Sequence, residues 1–350
     1  MRFFMAIDRV LSADSGGMQE ENFNLSLRPE KLDEVIGQET VKEKMSIAIQ
    51  AARQRKEPLE HILFYGPPGL GKTTLANVVA NEMEAAIKVS SWPALTKQGD
   101  VMGLLSNIGT GDILFIDEVH RLSAPVEEFI YPAMEDFKVD FTVDSGMHAK
   151  TINFPLKRFT LVGATTRAGL LSSPLRSRFG MLLHMEFYTP EHLLAILSRS
   201  ADLLGLENDE DSLRLIASRS RGTPRIANRL LKRVRDYAQV KGEGKLSTDI
   251  VEKSLEMEQI DKMGLDELDR AFLRALINVY DGGPAGIEAI AATLGEERDT
   301  LEDVVEPYLL QKGFVRRTKR GREVTPAACG HLGLECNRKT SPNQKTMFDE

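Results

Sequence analysis

At 350 residues the chain is too long for one compact core by the usual prior, so two or three domains are expected. Its hydrophobic share of 42% and charged share of 28% are those of an ordinary globular protein, and no run approaches the roughly 20 apolar residues of a membrane span. A formal charge of −7 argues against a surface coated throughout with nucleic acid, while leaving room for a local basic patch.

The first residues, Met1 to Asp8, lack a sustained apolar stretch, because Asp8 and Arg9 interrupt it; no signal peptide is expected. Cys329 and Cys336 make no disulfide framework and point to a reducing, cytoplasmic setting. Residues 1–26 are mixed and poorly periodic, with Ser12–Gly17 reading as a turn. From Glu39 to Arg55 the spacing of Val41, Met45, Ile49 and Ala52 predicts an amphipathic helix.

The most informative stretch follows. Ile62-Leu63-Phe64-Tyr65 reads as a buried strand ending in Gly66-Pro67-Pro68-Gly69-Leu70-Gly71-Lys72-Thr73, which fits the phosphate-loop pattern G-x-x-x-x-G-K-[ST]. Thr74 onward shows helical spacing through Leu75, Val78 and Val79. Glycines let backbone N–H groups turn inward around phosphate oxygens, and a helix N-terminus adds unpaired donors. Lys72 supplies charge to the terminal phosphates of ATP, and Thr73 offers its hydroxyl to Mg²⁺. This chain is expected to bind a nucleotide.

Further apolar runs at Ile87–Val89, Ile113–Ile116, Thr160–Ala164 and Leu182–Phe187 predict a parallel sheet with helices on both faces, an α/β architecture. Ligands of such sheets sit at the carboxyl ends of strands, where the loop, Asp117, Glu118 and Thr165 fall. Asp117 suits the second protein contact to Mg²⁺, and Glu118 could orient the attacking water. His120 reads as a satisfied structural histidine. Val139, Phe141 and Val143 alternate with polar residues, Ser145-Gly146 marks a turn, and Thr151–Phe154 returns, which predicts an inserted hairpin. Its apolar face either packs on the body or meets a partner protein; the pattern leaves both open.

Arg176 and Arg178 sit in a turn after the fourth strand, where one could serve a neighbouring subunit as an arginine finger. From Thr189 to Glu258 the pattern is helical, with Thr223 and Pro224 opening one helix and Arg225, Arg229 and Arg233 recurring on one face. That row is either a solvated basic face or, at Arg225, a contact to a γ-phosphate. Three helices are read over Leu265–Val279, Ile287–Leu294 and Leu301–Leu309, followed by two β-capable runs around Arg316-Arg317-Thr318-Lys319-Arg320-Gly321-Arg322. This is a winged-helix pattern with a basic tip suited to phosphates. Glu302, Asp303 and Glu306 on the third helix complement a DNA groove poorly, so backbone-directed contact through the wing is expected. The tail from Asn337 is polar and reads as disordered.

Gly66–Thr74 and Asp117-Glu118 are common to many AAA+ ATPases. Tyr131-Pro132-Ala133-Met134-Glu135-Asp136, Gly163–Gly169 and Arg221-Gly222-Thr223-Pro224-Arg225-Ile226-Ala227-Asn228-Arg229 are more specific, and from about Leu27 to Gly333 the chain resembles the RuvB family of bacterial branch-migration ATPases. The resemblance implies an AAA+ P-loop ATPase domain over residues 27–187, a small helical lid domain over 188–259 and a C-terminal winged-helix domain over 260–336. It also implies a homo-hexameric ring on double-stranded DNA at Holliday junctions, working with RuvA and, nearby, the resolvase RuvC. By the same resemblance Gly69, Gly71, Lys72, Thr73 and Thr74 line the nucleotide, Thr165 senses the γ-phosphate, Arg178 is the finger in trans and Arg225 the second sensor. Leu27, Arg28, Tyr188 and the run Glu135, Asp136, Phe137 border the nucleotide; Arg317 and Arg322, joined by Arg298, contact DNA; the hairpin 138–154 docks RuvA. A DNA translocase is the first expectation and a clamp-loader-like ATPase the second. A protein-unfolding ring gives no reason for a basic wing.

Overall fold

A computed structural model describes residues 26–143 and 150–335. The expected N-terminal turn, the hairpin turn at Ser145-Gly146, Cys336 and the polar tail lie outside these residues. The chain forms two compact units. One takes the described residues through Leu206 together with Gly222–Asn228; the other takes Glu207–Arg221 and the described residues from Arg229 onward.

In the first unit the apolar runs become β1 (Ile62–Tyr65), β2 (Ile87–Ser91) and β3 (Ile113–Asp117), then the hairpin strands β4 (Lys138–Val143) and β5 (Lys150–Pro155), then β6 (Thr160–Thr165) and β7 (Met181–His184). β1, β2, β3, β6 and β7 form one five-stranded sheet in the order β2-β3-β6-β1-β7, all pairs parallel. The inner strands β1, β3 and β6 are largely apolar and buried along their length, as a sheet covered on both faces requires, whereas the outer strand β2 carries Lys88, Ser90 and Ser91 and is only partly buried. The predicted helix Glu39–Arg55 is present and buries Val41, Met45, Ile49 and Ala52, the four residues that predicted it. β4 and β5 pair antiparallel from Lys138↔Pro155 to Val143↔Lys150. Val139 at the root of this hairpin is fully buried, whereas Ile152 and Phe154 are 48% and 36% exposed.

A parallel sheet has two chemically different edges, and one histidine pins the edge where β1 begins. The Leu161 N–H donates to His61 Nδ1 at 2.9 Å, so Nδ1 carries no proton; Nε2 then donates to the Met134 carbonyl at 3.0 Å. Met134 lies at the end of the helix Ala124–Glu135, and Phe159 and Phe137 pack their rings around the same imidazole. From His61 to Gly66 the strand advances about 16 Å at roughly 3.3 Å per residue. Whatever packs on His61 is therefore far from the loop that begins at Gly66.

The second unit holds most of the helical lid region, including Glu210–Ser218 and Thr248–Met257, with the short parallel pair β8 (Glu207–Asn208) and β9 (Lys245–Leu246). It continues into Glu267–Asn278, Ile287–Leu294 and a third helical stretch built as Arg298–Thr300, a π turn Leu301–Val305 and Glu306–Gln311. The sequence pattern read that third stretch as one regular helix; the π turn leaves no mark on its apolar spacing. β10 (Val315–Thr318) and β11 (Gly321–Val324) pair antiparallel as the wing. Gly321 has φ 136°, and a Cβ there would stand 2.3 Å from the Ala285 carbonyl oxygen, so only glycine fits this turn. Buried Arg221 donates from Nε to the Gly264 carbonyl at 2.8 Å, pairs with buried Asp269 and lies 5.1 Å over the Tyr308 ring. Cys329 packs in the same core.

Burial pushes the His61 imidazole below its ordinary value, partly offset by the Met134 carbonyl and the Glu60 charge. The unfolded chain takes up a proton near pH 6.5 while the folded chain stays neutral, so acid favours unfolding from that pH downward. Denaturant unfolding of wild type should lose stability between about pH 6.5 and 5 relative to His61→Gln, whose profile over the same range should be flatter. Parallel profiles would contradict a neutral buried imidazole.

Candidate nucleotide site and wing

The loop Gly66–Gly71 joins the end of β1 to the helix Lys72–Glu82, which it opens with Gly71 in the left-handed region and no side-chain cap. Gly66 is irreplaceable: at φ 145° a Cβ would meet the Met185 carbonyl oxygen at 2.4 Å. Uncapped N–H groups at a helix start make an anion site. Lys72 is buried, and its ammonium donates to the loop's own carbonyls at Gly66 (2.8 Å) and Pro67 (2.9 Å). Thr73 and Thr74, in the first turn, are half-buried. Tyr188 closes one side, its hydroxyl donating to the Leu70 carbonyl at 3.3 Å and its N–H to the Gly222 carbonyl at 2.8 Å; burial lifts its phenol to about 12. Arg225 closes the other, its N–H donating to the Gly69 carbonyl at 3.4 Å. Leu27 is buried and its carbonyl accepts from Arg199, which pairs with Glu34; Arg28 follows, half-buried.

Asp117 ends β3 and Glu118 follows in the left-handed region. Burial and the adjacent Glu118 charge raise the Asp117 carboxyl; the Glu118 N–H, Lys72 and Arg225 oppose this without cancelling it. For Glu118 burial is again the largest influence and acts upward. His120, the Thr166 N–H and Lys72 outweigh it together and hold the carboxyl below its usual range. His120 Nδ1 lies 3.1 Å from Glu118 Oε2 and 2.9 Å from Thr165 Oγ1, the satisfied histidine that was expected.

The two threonines that end β6 divide their work. Thr165 is 0% exposed, and its hydroxyl is engaged by His120 and by the Arg167 N–H at 3.0 Å. The Thr166 hydroxyl instead donates to Glu118 Oε2 at 3.2 Å, in the half-exposed position next to the candidate water-orienting carboxylate. Of the two, Thr166 is the hydroxyl that stands partly exposed beside Glu118.

Arg178 and the run Glu135, Asp136, Phe137 stand elsewhere. Arg178 pairs with Glu135 at 3.1 Å, donates to the Pro174 carbonyl at 2.7 Å and lies 4.3 Å over the Tyr131 ring. Asp136 pairs with Lys138 at 3.0 Å, and Phe137 packs by His61. Gly180 sits against Glu60, and the Met181 N–H bonds the His61 carbonyl. All of these belong to the edge where β1 begins, opposite the phosphate loop of the same chain. Glu135, Asp136 and Phe137, expected to border a nucleotide, thus lie with Arg178 and not beside the phosphate loop of their own chain. The arginine row of the helix Pro224–Lys241 is not one solvated face either: Arg225 is half-buried, Arg229 buried and Arg233 exposed.

On the wing, Arg317 and Arg322 are cross-strand partners, and both hold Glu306. Burial acts upward on the Glu306 carboxyl, but hydrogen bonds from both arginines keep it below the usual carboxylate range. Arg298 pairs with Glu288 at 3.0 Å and with Glu302 at 3.3 Å.

Family models match nearly the whole described chain: a Holliday junction DNA helicase RuvB P-loop domain over residues 27–185, a RuvB AAA lid domain over 188–261 and a RuvB C-terminal winged helix domain over 262–333. The chain belongs to the RuvB family. A Holliday junction branch migration complex subunit RuvB from Ligilactobacillus salivarius strain UCC118 is 54% identical over 333 residues, 95% of this chain and 98% of the relative. The RuvB subunit of Pseudothermotoga lettingae is 57% identical over 309 residues, 88% and 90% of the two chains. A solved Thermotoga maritima RuvB, described as a Holliday junction branch migration motor, superposes with TM-score 0.82 at 52% identity, covering 89% of this chain and 99% of that one. The RuvB fold of P-loop, lid and winged-helix domains is thus the fold of this chain.

Thr165→Val should destabilise the fold by about 1–3 kcal/mol, because it removes a fully buried hydroxyl that engages His120 and accepts from the Arg167 N–H. Thr166→Val should leave unfolding nearly unchanged and slow ATP hydrolysis. Urea melts and steady-state ATPase rates on both variants check this; the reverse pattern would return the sensing role to Thr165.

Proposed function

We propose that this chain is an ATP-driven motor that moves double-stranded DNA through branch migration at Holliday junctions. The separation of the two sheet edges carries the reading: Lys72, Asp117, Glu118, Thr166 and Arg225 gather at one, while Arg178 with Glu135 and Tyr131 lies at the other. A nucleotide held by one copy would meet the Arg178 of the next, which supports a ring, here a homo-hexamer. Gly69, Gly71, Lys72, Thr73 and Thr74 would hold the phosphates, with Leu27, Arg28 and Tyr188 at the border. Glu135, Asp136 and Phe137 would reach the same nucleotide from the neighbouring copy.

Thr73 and Asp117 would hold Mg²⁺ together with phosphate oxygens. Their donor set, one hydroxyl and one carboxylate, fits an ion that keeps several waters, and among the described residues no larger cluster of acidic, His or Cys ligands gathers. When bound, the ion neutralises charge on the β- and γ-phosphates. Glu118, held below the usual carboxylate range, is a weak proton acceptor and serves by orienting water. The charge lost at the γ-position would be read through Arg225, which opens the helix leading into the second unit.

RuvA would dock on the hairpin 138–154, where Ile152 and Phe154 offer apolar surface, and RuvC would join at the junction. DNA would meet Arg317, Arg322 and Arg298. Among the described residues no helix is long and apolar enough to cross a membrane.

Lys72→Ala subunits and Arg178→Ala subunits should each be nearly inactive as ATPases. Mixed, they should recover part of the activity, since an Arg178→Ala subunit can bind ATP beside an intact finger. No recovery in any ratio would place the finger in cis. A synthetic four-way junction should come apart with ATP and RuvA; brisk ATP hydrolysis without junction dissociation would favour a loader.

A further inference from the structure

On the proposed reading that the wing contacts DNA, we infer that Glu306, with Glu302 beside it, is the positioning residue that aims the wing arginines at the phosphate backbone. Arg317 and Arg322 face each other directly across the two short wing strands. Like charges in that relation repel and splay a hairpin unless a counter-charge lies between them.

Glu306 is that counter-charge. It is 0% exposed, and its carboxylate accepts four hydrogen bonds: at Oε1 from Arg317 Nε (2.9 Å) and Arg322 Nε (2.8 Å), at Oε2 from Arg317 Nη2 (2.6 Å) and Arg322 Nη2 (3.1 Å). Two bidentate forks on one carboxylate fix the plane and direction of both guanidiniums. Glu302, one helical turn earlier, takes Arg322 Nη2 at 3.1 Å and Arg298 at 3.3 Å, which ties the third basic residue into the same network. Arg317 is held at its inner edge while its side chain stays 56% exposed.

The acids on this helix are therefore not a face turned toward DNA. They are the inner layer of a basic wing, and the ordering of three long side chains is completed before DNA arrives. Pre-organisation and simple charge make opposite forecasts for the isosteric change Glu306→Gln. It removes a negative charge, so electrostatics alone predicts tighter binding to DNA; loss of the double fork predicts weaker binding.

Titrating the full-length chain with a short mixed-sequence duplex at several salt concentrations decides between them. Arg317→Ala should weaken binding and flatten the salt dependence by roughly one phosphate contact. Glu306→Gln should weaken binding on the order of tenfold in spite of its added net positive charge. Arg317→Lys, which keeps the charge and loses the fork, should fall well short of wild type. Circular dichroism and thermal unfolding of each variant report that it is folded. If Glu306→Gln compromises folding, Arg317→Lys and Glu302→Gln carry the test by the same criterion. Unchanged binding in Arg317→Ala would remove the wing reading itself. Weak binding in Arg317→Ala beside tight binding in Glu306→Gln or Arg317→Lys would overturn the positioning role alone.

Discussion

β1 lies between β6 and β7 in a sheet whose strands all run the same way, so it carries one kind of chemistry at its end and another at its beginning. At its end the chain turns through Gly66 into uncapped helix N–H groups and the Lys72 ammonium, a place for phosphates. At its beginning His61 gathers Met134, Leu161 and the aromatic rings that hold the Ala124–Glu135 helix, and with it the cradle of Arg178. Neither end can bend toward the other, because hydrogen-bonded neighbours fix the strand on both sides. A site that needs both ends must be assembled from two copies. On the proposed reading, cooperation between subunits would follow from sheet polarity, before any interface is considered.

Three arginine–carboxylate pairings among the described residues have a geometric consequence. Breaking a buried pair by deleting one partner costs about 3–5 kcal/mol, so such pairs are retained even where they add little net stability. Arg178 is stacked on Tyr131 and tied to Glu135, a compact posture from which a longer reach is possible only by giving up a contact. Arg221 is anchored on Asp269 and Gly264, four residues before Arg225 meets the phosphate loop through Gly69. Glu306 orders the wing. In all three, arginine is the cation, and its planar fork turns an ion pair into a fixed direction.

Much of this was legible in the sequence because it is local. The phosphate loop, the apolar strands, the helix Glu39–Arg55 and the wing are written in spacings of a few residues. What was hidden is relational. Thr165 and Thr166 are adjacent and chemically alike, and only the fold shows that the first is consumed by His120 and Arg167 while the second faces Glu118. Glu135–Phe137 follow a helix whose end could reach either sheet edge. Glu302 and Glu306 read as a poor complement to DNA because the sequence gives their charge but not the arginines that enclose them. The π turn at Leu301–Val305 shifts hydrogen bonding without altering residue type. Cross-strand and cross-helix partners tens of residues apart leave no periodic trace.

The claim on which the rest stands is that ATP turnover needs two copies, since one chain holds the phosphate loop and the finger at opposite edges of the same sheet. The most direct test is the ATPase rate per subunit across a dilution series, with assembly state followed by sedimentation in the same buffer. The account predicts that specific activity rises with concentration and tracks the assembled fraction. A constant rate per subunit in samples that sediment as monomers would contradict it.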